Sequence, residues 1–323
     1  MVRPSLILAC FVAACGGDDD RPVPDSGPRA DGGGGTDSGP LPDGGSGTDG
    51  GSTDSGPPPA CGGARPVISG ITGTEGLVIA RDGTIYYSQD RAVGRLVPGG
   101  TPENDWVTLP PMAGTVWGLA LTADNGTVYA ASPSAGAIYA VDVAGASAVR
   151  WLSGVTPNGM TMGSDGNIYF GDFNDGGVYR VTGMEMHMRV SGDPIEQANG
   201  VAFGPDGRLY VDSYAAGAVY ALTLTDGVET AREPIAVPGF GAFDGIAFDA
   251  TGRIYITDNG RGALVRLEAD GSSPMMLAPG ISAAANIEFG VGALDCEDIY
   301  VASGGALFRY EMGDAAGLDV VWH

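Results

Sequence analysis

The chain has 323 residues, 43% of them hydrophobic and 17% charged, with a formal charge of −23 at pH 7. All 16 basic residues are arginine. An excess of acid this large disfavours nucleic acid and anionic lipid surfaces as partners, and it is compatible with a bound cation.

The first predicted element is a short apolar run, Leu6 to Ala14, which follows Arg3 and stops at Cys15. It is too short to span a bilayer, so residues 1–14 are expected to be an export signal. Val12-Ala13-Ala14-Cys15 resembles the bacterial lipobox, in which the signal is cut before the Cys and that Cys is lipidated. The expectation is an exported bacterial lipoprotein at the outer membrane, cell surface or periplasm, touching the membrane through the Cys15 lipid only. An ordinary secretory signal with an incidental Cys is the alternative. Residues 16–60 follow with nine Asp, two Arg, no aromatic residue and DSGP at 25–28, 37–40 and 54–57. Such a segment cannot bury enough apolar surface to fold, and as a tether it would reach roughly 40 Å. It carries −7 of the charge and, with +1 from Arg3 in the signal, leaves −17 on residues 61–323. With Cys15 lipidated, Cys61 and Cys296 remain, and in an exported protein two such cysteines suggest a disulfide.

From Glu75 onward one unit recurs. EGLVIARDGTIYYSQ starts at Glu75, WGLALTADNGTVYAAS at Trp117, NGMTMGSDGNIYFGD at Asn158, NGVAFGPDGRLYVDS at Asn199 and DGIAFDATGRIYITD at Asp244. A divergent copy, NIEFGVGALDCEDIYVAS, starts at Asn286. The steps are 42, 41, 41, 45 and 42 residues. A period in the low forties with several strands per unit reads as a β-propeller. In the unit from Asn199, residues 201–203, 208–212, 218–223 and 234–237 supply four antiparallel strands, the first two joined by the Pro205-Asp206-Gly207 turn. Six such units predict an all-β, six-bladed propeller over residues 61–323. Pro66–Ser69 resembles the fourth strands and is expected to close blade six from the N-terminal side. Cys61 and Cys296 then fall at the bottom of that blade.

The residue before each inner strand stands at the top mouth of the central channel. Glu75, Trp117, Asn158, Asn199, Asp244 and Asn286 therefore converge there. Carboxylate and amide oxygens are hard ligands suited to Ca²⁺ or Mg²⁺. Asn and Asp before Gly are also ordinary turn residues, but Glu is not, and the polar set arrives in phase around one axis. Asp82, Asp165 and Asp206 lie on the opposite face and read as hairpin turns.

These units, and the ending NIEFG…DIYVASGGALFRY, resemble the gluconolactonase/regucalcin/luciferin-regenerating-enzyme family, with diisopropyl fluorophosphatase a more distant relative. EGLVIARDG is similar to the motif whose Glu binds the metal. QANGVAF and FDGIAFD are similar to those whose Asn and Asp bind it, and TPNGMTMGSDG to the motif whose Asn borders metal and substrate. The resemblance implies Glu75, Asn199 and Asp244 as ligands of a divalent cation, with Asn158 beside them. Ca²⁺ is the first expectation, Mg²⁺ or Zn²⁺ the alternatives. It also implies Asp244 as the catalytic base. Asn158, Trp117, Asp172 and Asn286 are the candidate substrate contacts. An Arg often found two residues before the third-blade Asn is Thr156 here, and an Asp present in some relatives is Ala247.

The expected function is metal-dependent hydrolysis of a small lactone or related ester by a monomeric, surface-tethered propeller. The alternative is a non-catalytic, metal-stabilised platform that binds a ligand or partner. GSDGNIYFGD also resembles streptogramin-lyase repeats, but that enzyme type relies on a His. The two histidines here are His187, in the outer-hairpin text MEMHMRV, and His323.

Overall fold

The structure, a computed structural model, describes residues 74–312. Cys15, the 16–60 tether, Cys61 and the expected closing strand Pro66–Ser69 lie outside the described residues. Blade one is β1 (Leu77–Ile79), β2 (Ile85–Gln89), β3 (Ala92–Leu96) and β4 (Glu103–Thr108). Blade two is β5 (Leu119–Leu121), β6 (Thr127–Ser132), β7 (Ala137–Asp142) and β8 (Ser147–Ser153). Blade three is β9 (Pro157–Met162), β10 (Ile168–Asp172), β11 (Val178–Gly183) and β12 (Met186–Arg189). Blade four is β13 (Ala198–Phe203), β14 (Leu209–Ser213), β15 (Ala218–Thr225) and β16 (Val228–Ala236). Blade five is β17 (Phe243–Phe248), β18 (Ile254–Asp258), β19 (Ala263–Leu267) and β20 (Met275–Pro279). Blade six contributes β21 (Ala284–Phe289), β22 (Ile299–Ser303) and β23 (Ala306–Tyr310) among the described residues. Each blade is its own antiparallel sheet with strands in chain order. The inner strands abut one another in sequence around a ring, and β21 abuts β1. The fold is a six-bladed β-propeller.

Burial explains the text of each strand. β2, β10, β14, β18 and β22 are buried at every position, because both faces of the blade are covered by neighbouring blades. Such strands read as continuous apolar runs (IYY, IYF, LYV, IYI, IYV). The outermost strands β4 and β16 alternate exposed and half-buried residues, with one face to water. The Asp-Gly-x-x-Tyr text of blades three and four, and the longer Asp249…Tyr255 turn of blade five, have two uses at the bottom face. Asp165, Asp206 and Asp249 accept backbone N–H bonds inside their own turns, and each also accepts the hydroxyl of Tyr169, Tyr210 or Tyr255 at 2.9 Å. The turn is thereby fastened to the second strand. Asp82 similarly bonds the Thr84 N–H, as expected of a hairpin turn.

At the top, the glycine opening each inner strand is required by the next blade. A Cβ on Gly76 would lie 2.2 Å from the Trp117 carbonyl oxygen, on Gly118 2.1 Å from that of Asn158, and on Gly159 2.4 Å from that of Asn199. Gly200 stands likewise against Asp244, and Gly245 against Ala285 and Asn286. Neighbouring blades thus meet backbone to backbone.

This contact corrects the phase of the sixth unit. Ile287 pairs with Val301 as Ile246 pairs with Ile256. The place equivalent to Asp244 is therefore Ala285, and Asn286 takes the glycine place. Instead of a glycine contact, Asn286 donates its N–H to the Glu75 carbonyl at 3.0 Å, joining blade six to blade one. Cys296 lies in the β21–β22 connection and is disulfide-bonded. Its expected pairing with Cys61 involves a residue outside the described set.

Candidate functional site

Two concentric sets of residues form the channel mouth. The inner set is Glu75, Trp117, Asn158, Asn199, Asp244 and Ala285, each just before the glycine place. Side chains and backbone of the second strands hold it. The Glu75 and Gly76 N–H groups donate to Ser88 Oγ at 2.9 and 2.8 Å, and the Gly245 N–H to Thr257 Oγ1 at 2.8 Å. On blade four a carboxylate does this work, with Asp212 Oδ1 accepting the Gly200 N–H at 2.9 Å. The outer set is the first residue past three of the second strands: Phe173, Tyr214 and Asn259. Each donates its N–H to the carbonyl two residues before the inner residue of its own blade, namely Thr156, Gln197 and Ala242.

Asn158, Asn199 and Asp244 are all buried, and Glu75 is half-buried. Burial pushes the Asp244 carboxyl well above the ordinary carboxylate range, helped by the nearby charges of Glu75 and Asp212. Hydrogen bonds from the side chains of Asn199 and Asn259 oppose that rise, the Asn259 amide reaching Asp244 Oδ2 at 3.0 Å. Burial raises Glu75 to about 7. It also raises Asp212, which is wholly inaccessible, well above its ordinary value, offset in part by the Gly200 N–H. Three acids that repel one another around a buried point are stabilised by a cation.

Among the described residues no group of three or more His, Cys, Asp or Glu is arranged to hold a metal ion by itself. A cation here needs amide oxygen as well, and Asn199 Oδ1 is buried without a hydrogen-bond partner. Asp212 Oδ2 is in the same condition. An all-oxygen set of carboxylate and amide fits a hard cation such as Ca²⁺. The residues present fit the group.

The other expected contacts divide. Trp117 stands on the inner set and meets the Phe173 ring edge-on, centroids 6.0 Å apart. Asn286 is at the mouth by virtue of its bond to Glu75, with its Oδ1 buried and unpartnered. Asp172 turns its carboxylate into its own loop. It accepts the Thr156 N–H at 2.7 Å, the Thr156 hydroxyl, and the N–H groups of Asn174 and Asp175 at 3.1 and 3.2 Å. Its four bonds fix the loop that carries Phe173. A hollow of 410 Å³ lies beyond, between Phe173, Asn174, Pro194, Glu196 and Gln197, and Phe173 belongs to its wall and to the mouth. Sequence reasoning missed Asp212, Tyr214 and Asn259. Asp212 sits in LYVDS, which reads as an unremarkable strand. Asn259 and Tyr214 are found only by superposing the position after each second strand.

Residues 146–305 match the family described as SMP-30/Gluconolactonase/LRE-like region. No curated protein matches the chain in sequence. Among solved structures, the chain is similar to a gluconolactonase from Xanthomonas campestris, with 19% identity and a TM-score of 0.63 over 75% of this chain and 87% of that one. It is similar to regucalcin, a calcium-binding protein from Agrobacterium tumefaciens, at 18% identity and TM-score 0.63 over 76% of this chain and 92% of that one. Virginiamycin B lyase from Staphylococcus aureus gives 17% identity and TM-score 0.57 over 76% and 86%. At these identities the structural likenesses establish the fold. From the outermost strand of blade two into blade six, the propeller carries the sequence pattern of the SMP-30/gluconolactonase/LRE-like family.

Proposed function

We propose that this propeller is a divalent-cation-dependent hydrolase of a lactone or related ester, working at the channel mouth. The observation that carries the reading is the convergence of Glu75, Asn199 and Asp244, with Asn199 Oδ1 buried and unpartnered beside two carboxyls of raised proton affinity. Glu75, Asn199 and Asp244 would hold the ion, with Asn158 beside them, and Ca²⁺ suits their oxygens better than Zn²⁺. When bound, the cation would polarise an ester carbonyl and offset the charge that develops on its oxygen. Asp244 is the general base. Burial and the charges of Glu75 and Asp212 raise its proton affinity, which strengthens it as an acceptor of a proton from water. The Asn259 amide fixes Asp244 Oδ2 and so orients the carboxylate. The sequence pattern of a family that includes gluconolactonases supports the reaction class. The same proposal keeps the propeller monomeric, on a Cys15 lipid and the 16–60 tether.

One observation favours the second reading, a metal-stabilised platform without turnover. Thr156, where many relatives in the resemblance carry Arg, commits its hydroxyl to Asp172 and brings no positive charge to a substrate beside Asn158. A lyase reading has less support: His187 lies on β12, the outermost strand of blade three, against the Tyr179 ring. The test is a panel of lactones and phosphotriesters assayed with and without Ca²⁺. Ca²⁺-dependent turnover that falls about a hundredfold or more in Asp244→Asn supports the hydrolase. Cation binding without turnover of any ester supports the platform.

A further inference from the structure

The channel mouth is chemically one-sided. Trp117, Phe173 and Tyr214, from blades two, three and four, form a continuous arc of rings. Phe173 meets Trp117 at 6.0 Å with planes at 88°, and Tyr214 at 6.1 Å with planes at 62°. The Tyr214 hydroxyl reaches Asn259 Oδ1 at 3.5 Å, and the Asn259 amide bonds Asp244. The arc therefore runs up to the acid that the preceding reading makes the base. Positions equivalent to Phe173 and Tyr214 on blades six and one are Gly304 and Asp90, so no ring faces the arc from there.

These rings are not serving the core. Every other described Phe, Tyr or Trp, Phe308 apart, belongs to a hydrophobic cluster between blades or packs against one. Trp117, Phe173 and Tyr214 belong to none, and all three are half-exposed. Aromatic surface left half-wet beside a reactive centre is surface a ligand can cover. Beside the rings, outside the inner set, the nearby polar side chains of blade three are already committed. Asp172 spends its carboxylate on its own loop, and Thr156 gives its hydroxyl to Asp172. A polyhydroxylated ligand lying on the arc would exchange hydrated hydroxyls for contact with ring faces, which an aryl group does not have to do.

We propose that Trp117, Phe173 and Tyr214 are a binding wall for an aryl group, so that the substrate class is an aromatic ester or lactone and not a polyhydroxylated sugar lactone. The word ester rests on the hydrolase reading; the wall does not.

The test separates the two with unreactive probes. Full-length protein with Ca²⁺ present is titrated calorimetrically with dihydroquinolinone, a benzo-fused six-membered lactam, and with valerolactam, the same ring without the benzene. Turnover of dihydrocoumarin and of gluconolactone is measured in parallel. Dihydroquinolinone should bind about tenfold tighter than valerolactam, the scale of one or two aromatic contacts. Phe173→Ala should remove most of that preference while leaving the melting temperature unchanged. Trp117→Leu, which keeps bulk but loses the π surface, should do the same if Phe173→Ala proves unstable. Equal binding of the two lactams, or a preference that survives both substitutions, overturns the wall, as does turnover of gluconolactone in preference to dihydrocoumarin. A preference for dihydroquinolinone with neither lactone turned over upholds the wall and refutes the hydrolase.

Discussion

Asp244 and Asp212 carry their carboxyls where water scarcely reaches, and Glu75 and Glu288 carry theirs half-buried. Glu288 lies opposite Tyr300, in the position that Ala247 and Ala202 occupy opposite Tyr255 and Tyr210. Burial alone raises its carboxyl from the ordinary 4.5 to about 8. A carboxyl with a raised folded value binds its proton more tightly in the folded state. Its contribution to stability is complete below about 4.5 and is lost as pH rises through about 8. Glu288→Gln should therefore match the parent protein in acid and melt higher, by about 2 °C or more, at mildly alkaline pH. Thermal melts of the pair across that range check it, and identical curves at alkaline pH would refute it. Glu75→Gln is expected to act differently, chiefly weakening cation affinity, which calorimetric titration with Ca²⁺ would read. In the sequence Glu75 was legible because Glu is out of place before Gly, whereas Asp212 was not. Nothing in LYVDS separates a buried, functional Asp from the small polar residues that end IYITD or IYYSQ.

The inner strands are positioned by contacts that leave no space for a methyl group. Gly159→Ala would place a Cβ 2.4 Å from the Asn199 carbonyl and force blades three and four apart. A loss of about 1–3 kcal/mol is expected, the usual range for overpacking against a rigid neighbour. Gly305→Ala is the control. It has nothing within 4 Å and no positive φ, so it should be neutral. Denaturant melts of the two variants would show a large midpoint shift for the first alone. Blade number and strand order were legible because this requirement repeats Gly at a fixed place in five units. The sixth unit lost the marker. Phe289 pairs with Ile299, ten residues on, where Phe248 pairs with Ile254, six on. With a longer hairpin and no glycine, the letters could not show whether Ala285 or Asn286 opens the strand. Only the ladder register decides.

For the molecule as a whole, the ring brings the two ends of a long chain segment together, and the candidate cation site draws on blades one, four and five. A ligand that binds only the folded ring should stabilise it by RT ln(1 + [L]/Kd), about 2.7 kcal/mol at a hundredfold excess over Kd. Ca²⁺ should raise the melting temperature, chelator should reverse the rise, and Glu75→Gln should blunt it. A melting temperature indifferent to divalent cations would refute the cation site. Position on the ring was legible from the period; the aromatic side of the mouth was not. It depends on residues that are adjacent only after four blades have closed around an axis.

The Asn286 N–H bond to the Glu75 carbonyl makes one joint in the ring unlike the other five. Elsewhere a glycine fits flush against the next backbone at the mouth, while here a hydrogen bond takes that place, and the Ala293 N–H bonds the Asp82 carbonyl at 3.4 Å near the bottom. The residue accepting the Asn286 bond also lends its side chain to the acidic centre. Reactivity and mechanical integrity therefore share Glu75. Any breathing of the ring that begins at this joint would carry that carboxyl away from Asp244 and disassemble the centre first. A cation held by both would act as a clasp, fastening blade one to blade five across blade six. Hydrogen exchange at the Asn286 amide should consequently slow when Ca²⁺ is added, more than at the equivalent amides Gly200 and Gly245. Equal slowing at all three would place the weak joint elsewhere.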